Sequence, residues 1–398
     1  MTGIGIVGAG IGGLTLALAC RQAGLDEITV YEQADAPQGL GAGVQLSPNA
    51  SRVLVALGLR EALTGVAFFP RAVHLRTWRT GYLVAMRPLG AFSESRYGAP
   101  YLHLHRADLH QVLLDAAAAR GVRIVSGRRC DGAGQDGAGA WVELGGERQR
   151  HAVVIGCDGI HSVVRSSLFD DAAPRYSGHV AWRGMVPTDR LPPRLIPDTA
   201  TVWMGPGRHF VHYYVRRGEL VNFVGVVASP RRSEESWRHV GDPAQLADDF
   251  AGWHPMVRTL IEAADDAWLW DLYDHAPMPA WTRGAITLLG DACHPMLPYL
   301  AQGAAMAIED AWVLAVMLER WEDDPARALP EYERYRRPRT ARVQARSAEQ
   351  GELFHLPDGA GALRRNLKLA LGSRYLPEIA MRQFDWLHGF DCIRGFES

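Results

Sequence analysis

The feature that most constrains the fold is a glycine-spaced turn near the N terminus. Gly8, Gly10 and Gly13 follow the apolar, β-prone run 4–7 and lead into the helical stretch Leu14–Gln22. Strand, glycine turn and helix in this order predict a dinucleotide-binding βαβ unit. The first glycine permits the tight turn, the second the close approach of a pyrophosphate, and the third the packing of helix on strand. Free N–H groups at the start of the helix would hold the phosphates.

An acidic residue in the right place strengthens this interpretation. The next strand, Glu27–Tyr31, ends at Glu32, about 20 residues past the glycines, where an acid accepts hydrogen bonds from ribose hydroxyls. An acid at this position favours an unphosphorylated ribose, as in FAD or NAD. A glycine pattern alone is weak support, because glycine-rich turns are common. With strand, turn, helix, strand and acid in order, a merely structural loop becomes the less favoured interpretation.

The rest of the chain does not continue as repeated βαβ units, as a simple dehydrogenase would. Instead, chemically distinctive segments occur far apart, separated by helical and strand-like stretches. They are the glycine-rich segment 39–49, the HRADLH segment 105–110, the pair Asp158-Gly159, and the pair Gly290-Asp291 ahead of the helix Met306–Arg320.

Together these motifs resemble the single-component, FAD-dependent aromatic hydroxylases with the p-hydroxybenzoate hydroxylase fold. They occur in the family's order and span nearly the whole chain. The strings LGAGVQLSPN, HRADLH and GDACHPMLPYLAQGAAMAIEDA are most similar to salicylate, 6-hydroxynicotinate and 3-hydroxybenzoate hydroxylases. The resemblance implies a mixed α/β fold, in which a β-rich substrate domain is inserted into a Rossmann-like FAD-binding domain and helices follow at the C terminus.

The resemblance also implies a division of the chain into six segments. The FAD-binding domain would be assembled from three of them, residues 1–70, 101–172 and 276–345. The substrate domain would take a β segment at residues 71–100 and its β-rich body at residues 173–275. Residues 346–398 would form a C-terminal helical segment.

Further cofactor-binding residues follow from the resemblance. Asp291 would accept a hydrogen bond from the ribityl chain of FAD. The N–H groups of Gly303 and Ala304 would face the N1–C2=O edge of the isoalloxazine, where a helix start stabilises the negative charge of reduced flavin. Arg106 would lie near the ribityl and pyrophosphate groups, the alternative being a surface arginine. Asp158 would serve FAD and NAD(P)H, the alternative being a plain strand-to-helix turn.

The candidate substrate surface is an alternating strand in the β-rich region. In the segment 209–214, a period of two points His209, Val211 and Tyr213 to one face, and His212 and Tyr214 to the other. In the related hydroxylases, the flavin C4a-hydroperoxide attacks a ring made electron-rich by deprotonation. The resemblance therefore implies that His209 is the base and Tyr213 its orienting partner. The alternative is that both are satisfied polar members of a half-buried sheet.

Three loop positions bear on the substrate. Where 6-hydroxynicotinate hydroxylases have histidine, this chain has Gln45, which cannot exchange a proton at neutral pH; this argues against 6-hydroxynicotinate itself. Pro298 is shared with salicylate and 6-hydroxynicotinate hydroxylases, whereas the 3-hydroxybenzoate branch has glutamine. Pro295 is expected to shape the loop that carries substrate and oxygen. The pattern is a hybrid that leaves the substrate open.

The implied function is an FAD-dependent monooxygenase that hydroxylates a small hydroxylated aromatic or pyridine carboxylate with NAD(P)H and O2. Decarboxylation and the choice of NADH or NADPH stay open. One alternative is a tailoring monooxygenase for a larger phenol or quinolone, and another is a non-catalytic FAD-fold binding protein. Monomer and homodimer are both compatible with the sequence.

Composition excludes other classes of function. The chain has 42 basic and 44 acidic residues, without the basic excess that nucleic-acid binding requires. It contains no apolar run of about 18 residues that could span a membrane, and no HExxH metal motif. The five cysteines lack CxxC spacing, which favours a reducing, cytoplasmic setting. We expect the helix Met306–Arg320 to be mostly core, and the charged run Glu331–Arg339 to be a solvated helix.

Overall fold

The computed structural model describes residues 3–35, 42–137, 139–169, 174–230 and 240–396. The strands are β1 Ile4–Val7, β2 Ile28–Tyr31, β3 Gly43–Leu46, β4 Ala72–Thr77, β5 Leu83–Pro88, β6 Leu102–His105, β7 Arg123–Val125, β8 Gly132–Asp136, β9 Gly139–Leu144, β10 Glu147–His151, β11 Val153–Gly156, β12 Arg175–Pro187, β13 Thr199–Gly205, β14 Arg208–Val215, β15 Leu220–Ala228, β16 Ala267–Asp274, β17 Thr282–Arg283 and β18 Ile286–Leu288.

The helices are α1 Ile11–Gln22, α2 Pro48–Ala56, α3 Arg60–Val66, α4 Ala91–Tyr97, α5 Arg106–Ala119, α6 Val163–Leu168, α7 Pro243–Asp249, α8 Pro255–Glu262, α9 Gly303–Arg320, α10 Pro325–Phe354, α11 Ala360–Tyr375, α12 Pro377–Arg382 and α13 Asp385–His388. The mixed α/β class predicted from the sequence is confirmed.

A six-stranded sheet brings the distant motifs together. Its order is β17-β18-β11-β1-β2-β7, and β1, β2, β7, β11 and β18 run parallel. All four residues of β1 and of β11 are buried, as expected for parallel strands covered by helices on both faces. The glycine turn, Asp158-Gly159 and Gly290-Asp291 follow β1, β11 and β18, so they meet at one edge, since parallel strands end on the same side.

A second sheet of seven strands faces this edge. Its order is β16-β12-β15-β14-β13-β4-β5, with β13 and β4 the parallel pair. One face packs on α7 and α8 through a buried aromatic core that includes Trp182, Trp203, Phe210, Phe223 and Phe250. The other face lines a cavity.

Long helices at the end of the chain complete the molecule. α9 packs between α1, α2 and α10, and α11 lies against β5. Of two small sheets, β10-β9-β8 packs against β11 and β1, and β3-β6 contacts β14 and α9. Within the described ranges, no helix is long and apolar enough to cross a membrane. The same ranges contain no cluster of three or more histidine, cysteine or acidic side chains that could hold a metal ion.

Candidate active site

One cavity of about 590 Å³ connects the two sheets. It reaches from the turn after β1, past the start of α9, to the open face of the seven-stranded sheet. Ten residues predicted from the sequence line it: Gly10, Gln45, Arg106, His209, Val211, Tyr213, Asp291, Pro298, Gly303 and Ala304. The other five predicted residues, Gly8, Gly13, Glu32, Asp158 and Pro295, lie around it.

The three glycines of the first turn do different things. Gly8 has φ +103°, a left-handed value that favours glycine. A Cβ on Gly13 would lie 2.0 Å from the carbonyl oxygen of Gly8, so only glycine allows helix and strand to pack this closely. A Cβ on Gly10 would have no atom within 4 Å. Gly10 therefore borders open space at the start of α1, which has no side-chain cap, and the first N–H groups of α1 are available to an anion.

Glu32 lies beside this turn rather than in the cavity lining. One carboxylate oxygen accepts a hydrogen bond from the backbone N–H of Ala9 at 2.9 Å, and the other from Ala34 at 2.9 Å. A carboxylate retains further acceptor positions when each oxygen accepts one bond. Glu32 is thus held rigidly at the end of β2 with acceptor capacity left for a ribose.

Asp158 serves the backbone of its own motif. Its carboxylate accepts hydrogen bonds from the Ser162 hydroxyl at 2.5 Å and from the N–H groups of Val163 and Val164 at 2.8 and 3.1 Å. Burial raises the pKa of Asp158, and these hydrogen bonds act in the opposite direction. The contacts are those of a cap on α6, so cofactor binding by Asp158 stays a prediction.

Asp291 and the start of α9 face each other across the cavity. Gly290 adopts φ +66° and turns the chain so that Asp291 is exposed into the cavity. Surrounding protein raises the pKa of Asp291 through lost hydration, while His294 and Arg106 lower it. α9 begins at Gly303 without a side-chain cap, because the Gln302 side-chain oxygen accepts a hydrogen bond from Asn49 at 3.1 Å, while its N–H groups donate to Ser47 and to the Leu300 carbonyl.

These features fit FAD. Two helices, α1 and α9, present uncapped starts to the same cavity, one beside the open position at Gly10 and the other beside a carboxylate. A pyrophosphate needs the first arrangement, and a flavin that becomes negatively charged on reduction needs the second. The arrangement can therefore hold a dinucleotide with its pyrophosphate at α1 and its flavin at α9.

A buried charge network holds α9 against α10. Asp310 pairs with His294 at 2.5 Å and with the Arg336 Nε at 2.7 Å. Glu309 pairs with Arg336 at 2.6 Å and with Arg339 at 2.7 Å. Glu309, Asp310 and Arg336 are fully buried. Because His294 lies three residues after Asp291, the network fixes the loop that carries Asp291.

His209 lies deep in the cavity and pairs with a residue that the sequence analysis did not identify. Its Nδ1 is 2.7 Å from Nε2 of His355, at the end of α10. Burial, and then the neighbouring His355 and His179, hold the pKa of His209 well below its usual value. The pKa of His355 is lowered to about 4 by burial and by His179. Both rings are therefore neutral at physiological pH, and one nitrogen of the close pair donates while the other accepts.

Tyr213 belongs to a separate polar group at the other end of the same strand. Burial raises its pKa, and Arg183 and Gln45 only partly offset this. The hydroxyl of Tyr101 donates to Oε1 of Gln45 at 2.9 Å. His209 and Tyr213 thus share a face of β14, as the alternation predicts, but each has its own partner. Their joint role as base and orienting partner stays a prediction.

The proline loop approaches the cavity through Pro298. Pro295 is buried behind it, and its carbonyl accepts a hydrogen bond from Gln344 at 2.9 Å. Pro295 therefore lies behind the residues that line the cavity, where it can shape the loop that carries Pro298. Its predicted catalytic role is not tested by these contacts.

Basic side chains dominate the charge of the cavity. Among the described lining residues there is one carboxylate, Asp291, and there are five basic side chains: Arg87, Arg106, Arg183, Arg365 and Lys368. The sequence analysis identified only Arg106 of these. Arg87 and Arg183 lie within ordinary alternating strands, where no local signal separates a ligand from a solvated side chain.

Comparison with known proteins agrees with this geometry. A family model described as FAD binding domain matches residues 1–347. The 3-amino-4-hydroxybenzoate 2-monooxygenase PtnB3 of Streptomyces platensis is 42% identical, covering 98% of this chain and 96% of that protein. The 6-hydroxynicotinate 3-monooxygenase of Bordetella bronchiseptica is 38% identical, covering 86% and 89%. The crystal structure of Klebsiella pneumoniae HpxO complexed with FAD and uric acid matches with a TM-score of 0.85 at 29% identity, covering 97% of each chain.

Proposed function

This chain belongs to the FAD-dependent aromatic monooxygenases, in the branch of the hydroxybenzoate and hydroxynicotinate hydroxylases, and we propose that it hydroxylates a small aromatic or pyridine carboxylate that already bears a hydroxyl group. NAD(P)H is the reductant and O2 the oxidant: one oxygen atom enters the ring and the other leaves as water. The carboxylate is retained or lost with the choice of substrate. The observation that supports this most is a single cavity joining Asp291 and the start of α9 to the His209 face of β14.

We assign the cofactor to the same residues that the sequence singles out. The N–H groups at the start of α1 bind the pyrophosphate of FAD, and Glu32 binds the adenosine ribose. Asp291 binds the ribityl chain, and the start of α9 stabilises the isoalloxazine. FAD, when bound, takes up reducing equivalents and activates O2.

His209 accepts the proton of the substrate hydroxyl. A neutral imidazole at physiological pH can accept a proton, and His209 is neutral because burial lowers its pKa. With Nδ1 engaged by His355, Nε2 is the nitrogen that accepts the proton of the substrate hydroxyl. This deprotonation enriches the ring in electrons for attack on oxygen. His355 then stabilises the charged ring by accepting a hydrogen bond from its Nδ1–H.

The substrate class follows from charge and from the relatives. A cavity with five basic side chains and one carboxylate favours anionic ligands. FAD binds to some of these basic side chains, and a substrate carboxylate binds to the others. Since PtnB3 acts on 3-amino-4-hydroxybenzoate, this acid is the first candidate substrate, ahead of 3-hydroxybenzoate, salicylate and 6-hydroxynicotinate.

The test is a substrate panel with the FAD-loaded protein. NADH and NADPH oxidation is measured with each of the four acids and without them, and the products are identified by mass spectrometry after reaction under ¹⁸O2. We expect one acid to stimulate oxidation and to gain one ¹⁸O atom. Oxidation that no acid stimulates would refute the proposal, and a protein that binds no flavin would point to a non-catalytic role.

A larger substrate is the second candidate, because the cavity continues beyond the sheet. Gln350, Leu353 and Phe354 of α10 and Leu369 of α11 line this extension. A bulkier phenol would occupy it, as a tailoring monooxygenase requires. Stimulation by a quinolone or a biaryl phenol, in the absence of stimulation by the four acids, would favour this candidate.

A further inference from the structure

Among the described residues, Arg87 is a cavity cation without an anionic partner. It lies in β5, is half-buried and lines the cavity. Within the part of the chain that the structure describes, its guanidinium makes no hydrogen bond or ion pair. Its Cζ lies 4.0 Å from the ring centroid of Phe384. Burial lowers the pKa of Arg87, and the nearby Tyr101 and Tyr97 oppose this only in part. A partly buried charge that lines a cavity is stabilised when a ligand supplies the counter-charge.

The register of the sheet sets Arg87 opposite Tyr213. Strand pairing puts Ala85 in the same row as Val211, across β5, β4, β13 and β14. Since β5 and β14 run in the same direction, Arg87 and Tyr213, each two residues further, fall in the next row. Three strand spacings of about 4.8 Å separate them. The positions between them carry small side chains that also line the cavity, Val73 and Ala200.

Tyr101 links the two ends of this row. Its hydroxyl donates to Gln45, which also neighbours Tyr213. Burial raises the pKa of Tyr101 to about 12, against the opposing charge of Arg87. The space between Arg87 and Tyr213 is therefore bounded by the ring of Tyr101 and by small side chains. The guanidinium of Arg87 lies at one end of it.

Arg183 is the rival cation: among the described residues it likewise makes no ion pair, and its Nε is buried without a hydrogen-bond partner. Its Cζ lies 4.2 Å from the ring centroid of Trp270, and its pKa is lowered to about 10 by burial and by Arg106, against the effect of Tyr213. Because Arg106 is assigned to FAD, Arg183 faces the cofactor side of the cavity. Arg87 lies three strands from β14 on the opposite side.

We propose that Arg87 binds the carboxylate of the aromatic substrate and so determines the preference of this enzyme for acids. The inference rests on the proposed function and deepens it. The planar guanidinium matches a carboxylate with two parallel N–H···O bonds. With the carboxylate at β5, the ring lies over Val73 and Ala200 and its hydroxyl end points toward β14, where Tyr213 ends the same row and His209 lies four residues away along the strand.

The test measures discrimination between an acid and the same ring without its carboxylate. The FAD-loaded enzyme is titrated with 3-amino-4-hydroxybenzoate and with 2-aminophenol, and with 3-hydroxybenzoate and phenol, and Kd is read from the change in flavin absorbance. We expect Arg87→Gln to raise Kd for the acids by about tenfold to a hundredfold, and to leave Kd for the phenols within about twofold. The exposed Arg71, whose partner Asp198 is also exposed, provides the control Arg71→Gln.

A second variant guards against misfolding. Arg87→Met removes the charge but keeps an unbranched side chain against Phe384, and it should show the same selective loss. An equal loss for acids and phenols, or unchanged discrimination in both variants, would overturn the inference. So would a selective loss in Arg183→Gln with none in Arg87→Gln. If the wild type hydroxylates an acid and the Arg87 variants show no selective loss for acids, only the role of Arg87 is refuted. If the wild type neither binds nor hydroxylates any acid, both proposals are refuted.

Discussion

Replacing Arg336 with methionine tests whether the buried charge network supports the cofactor site. Arg336 lies in α10, and its guanidinium contacts Asp310 at 2.7 Å and Glu309 at 2.6 Å. Both carboxylates are fully buried. Methionine fills much of the same volume without the charge. Glu309 would still pair with Arg339, and Asp310 with His294. Both buried carboxylates would lose their ion pair with Arg336.

The expected cost is large for a single substitution. Removing one partner of a buried ion pair costs about 3–5 kcal/mol, because the remaining charge is left without compensation. A chain of 398 residues has an unfolding entropy of roughly 0.8 kcal/mol/K near 60 °C. The loss therefore corresponds to a fall in Tm of about 4–6 °C. Because the network anchors the Asp291 loop, we also expect weaker FAD retention.

The loss should depend on pH in a defined direction. Burial raises the pKa values of Glu309 and Asp310, but the nearby cations more than offset this, so both lie below their ordinary values. A carboxyl group whose pKa is lower in the folded than in the unfolded protein stabilises the fold above its unfolded pKa of about 4. This stabilisation is lost as the pH falls through the folded-state pKa. Without Arg336, burial is less opposed and both pKa values rise. The difference in stability between wild type and variant should therefore be largest at pH 8 and shrink as the pH falls toward about 4.

Urea unfolding at pH 8 and at about pH 4, followed by intrinsic tryptophan fluorescence, measures both effects. Arg334→Met is the matched control, since Arg334 lies on the same helix, is exposed and pairs with Glu331 at the surface; it should cost at most about 0.5 kcal/mol. A loss below about 1 kcal/mol for Arg336→Met at pH 8, measured against the 3–5 kcal/mol expected, would refute the reasoning. Equal losses at the two pH values would refute the pH argument.

Three further predictions concern the site directly. Gly13→Ala should abolish folding or FAD binding, because its Cβ would lie 2.0 Å from a backbone oxygen; Gly10→Ala, with no atom within 4 Å, should fold like the wild type and bind FAD more weakly, and equal yields of folded protein would contradict this contrast. Asp291→Ala should weaken FAD retention, and full flavin occupancy after dialysis would count against its role. His209→Ala should keep FAD bound while hydroxylated product per NAD(P)H falls by about a hundredfold, within the range for general-base removal; unchanged coupling would exclude His209 as the base.

Local patterns were sufficient for much of the site. The strand, turn and helix around Gly8, Gly10 and Gly13 depend on neighbouring residues only, and the structure shows the same turn. The alternation at 209–214 is a property of any strand, so it correctly put His209, Val211 and Tyr213 on the cavity face. The domain boundaries and the roles of the site residues stay proposals, because their test is chemical.

Tertiary packing decided what each of these residues touches. His209 meets His355, 146 positions later, and Arg87 reaches the cavity only because β4 and β5 join a sheet made by strands a hundred residues further on. The charged run Glu331–Arg339 was expected to be solvated, and this is wrong for Arg336, which α9 buries against Glu309 and Asp310.

The physical reason is the range of the interactions. Backbone geometry and side-chain periodicity are set within a few residues, so the chain itself determines the glycine turn and the faces of β14. Burial, ion pairing and the pKa values that follow from them depend on which distant element packs there. The sequence by itself therefore determined a flavin-binding fold and a face of candidate residues, whereas only the tertiary structure decided their partners, their protonation and the charge of the cavity around them.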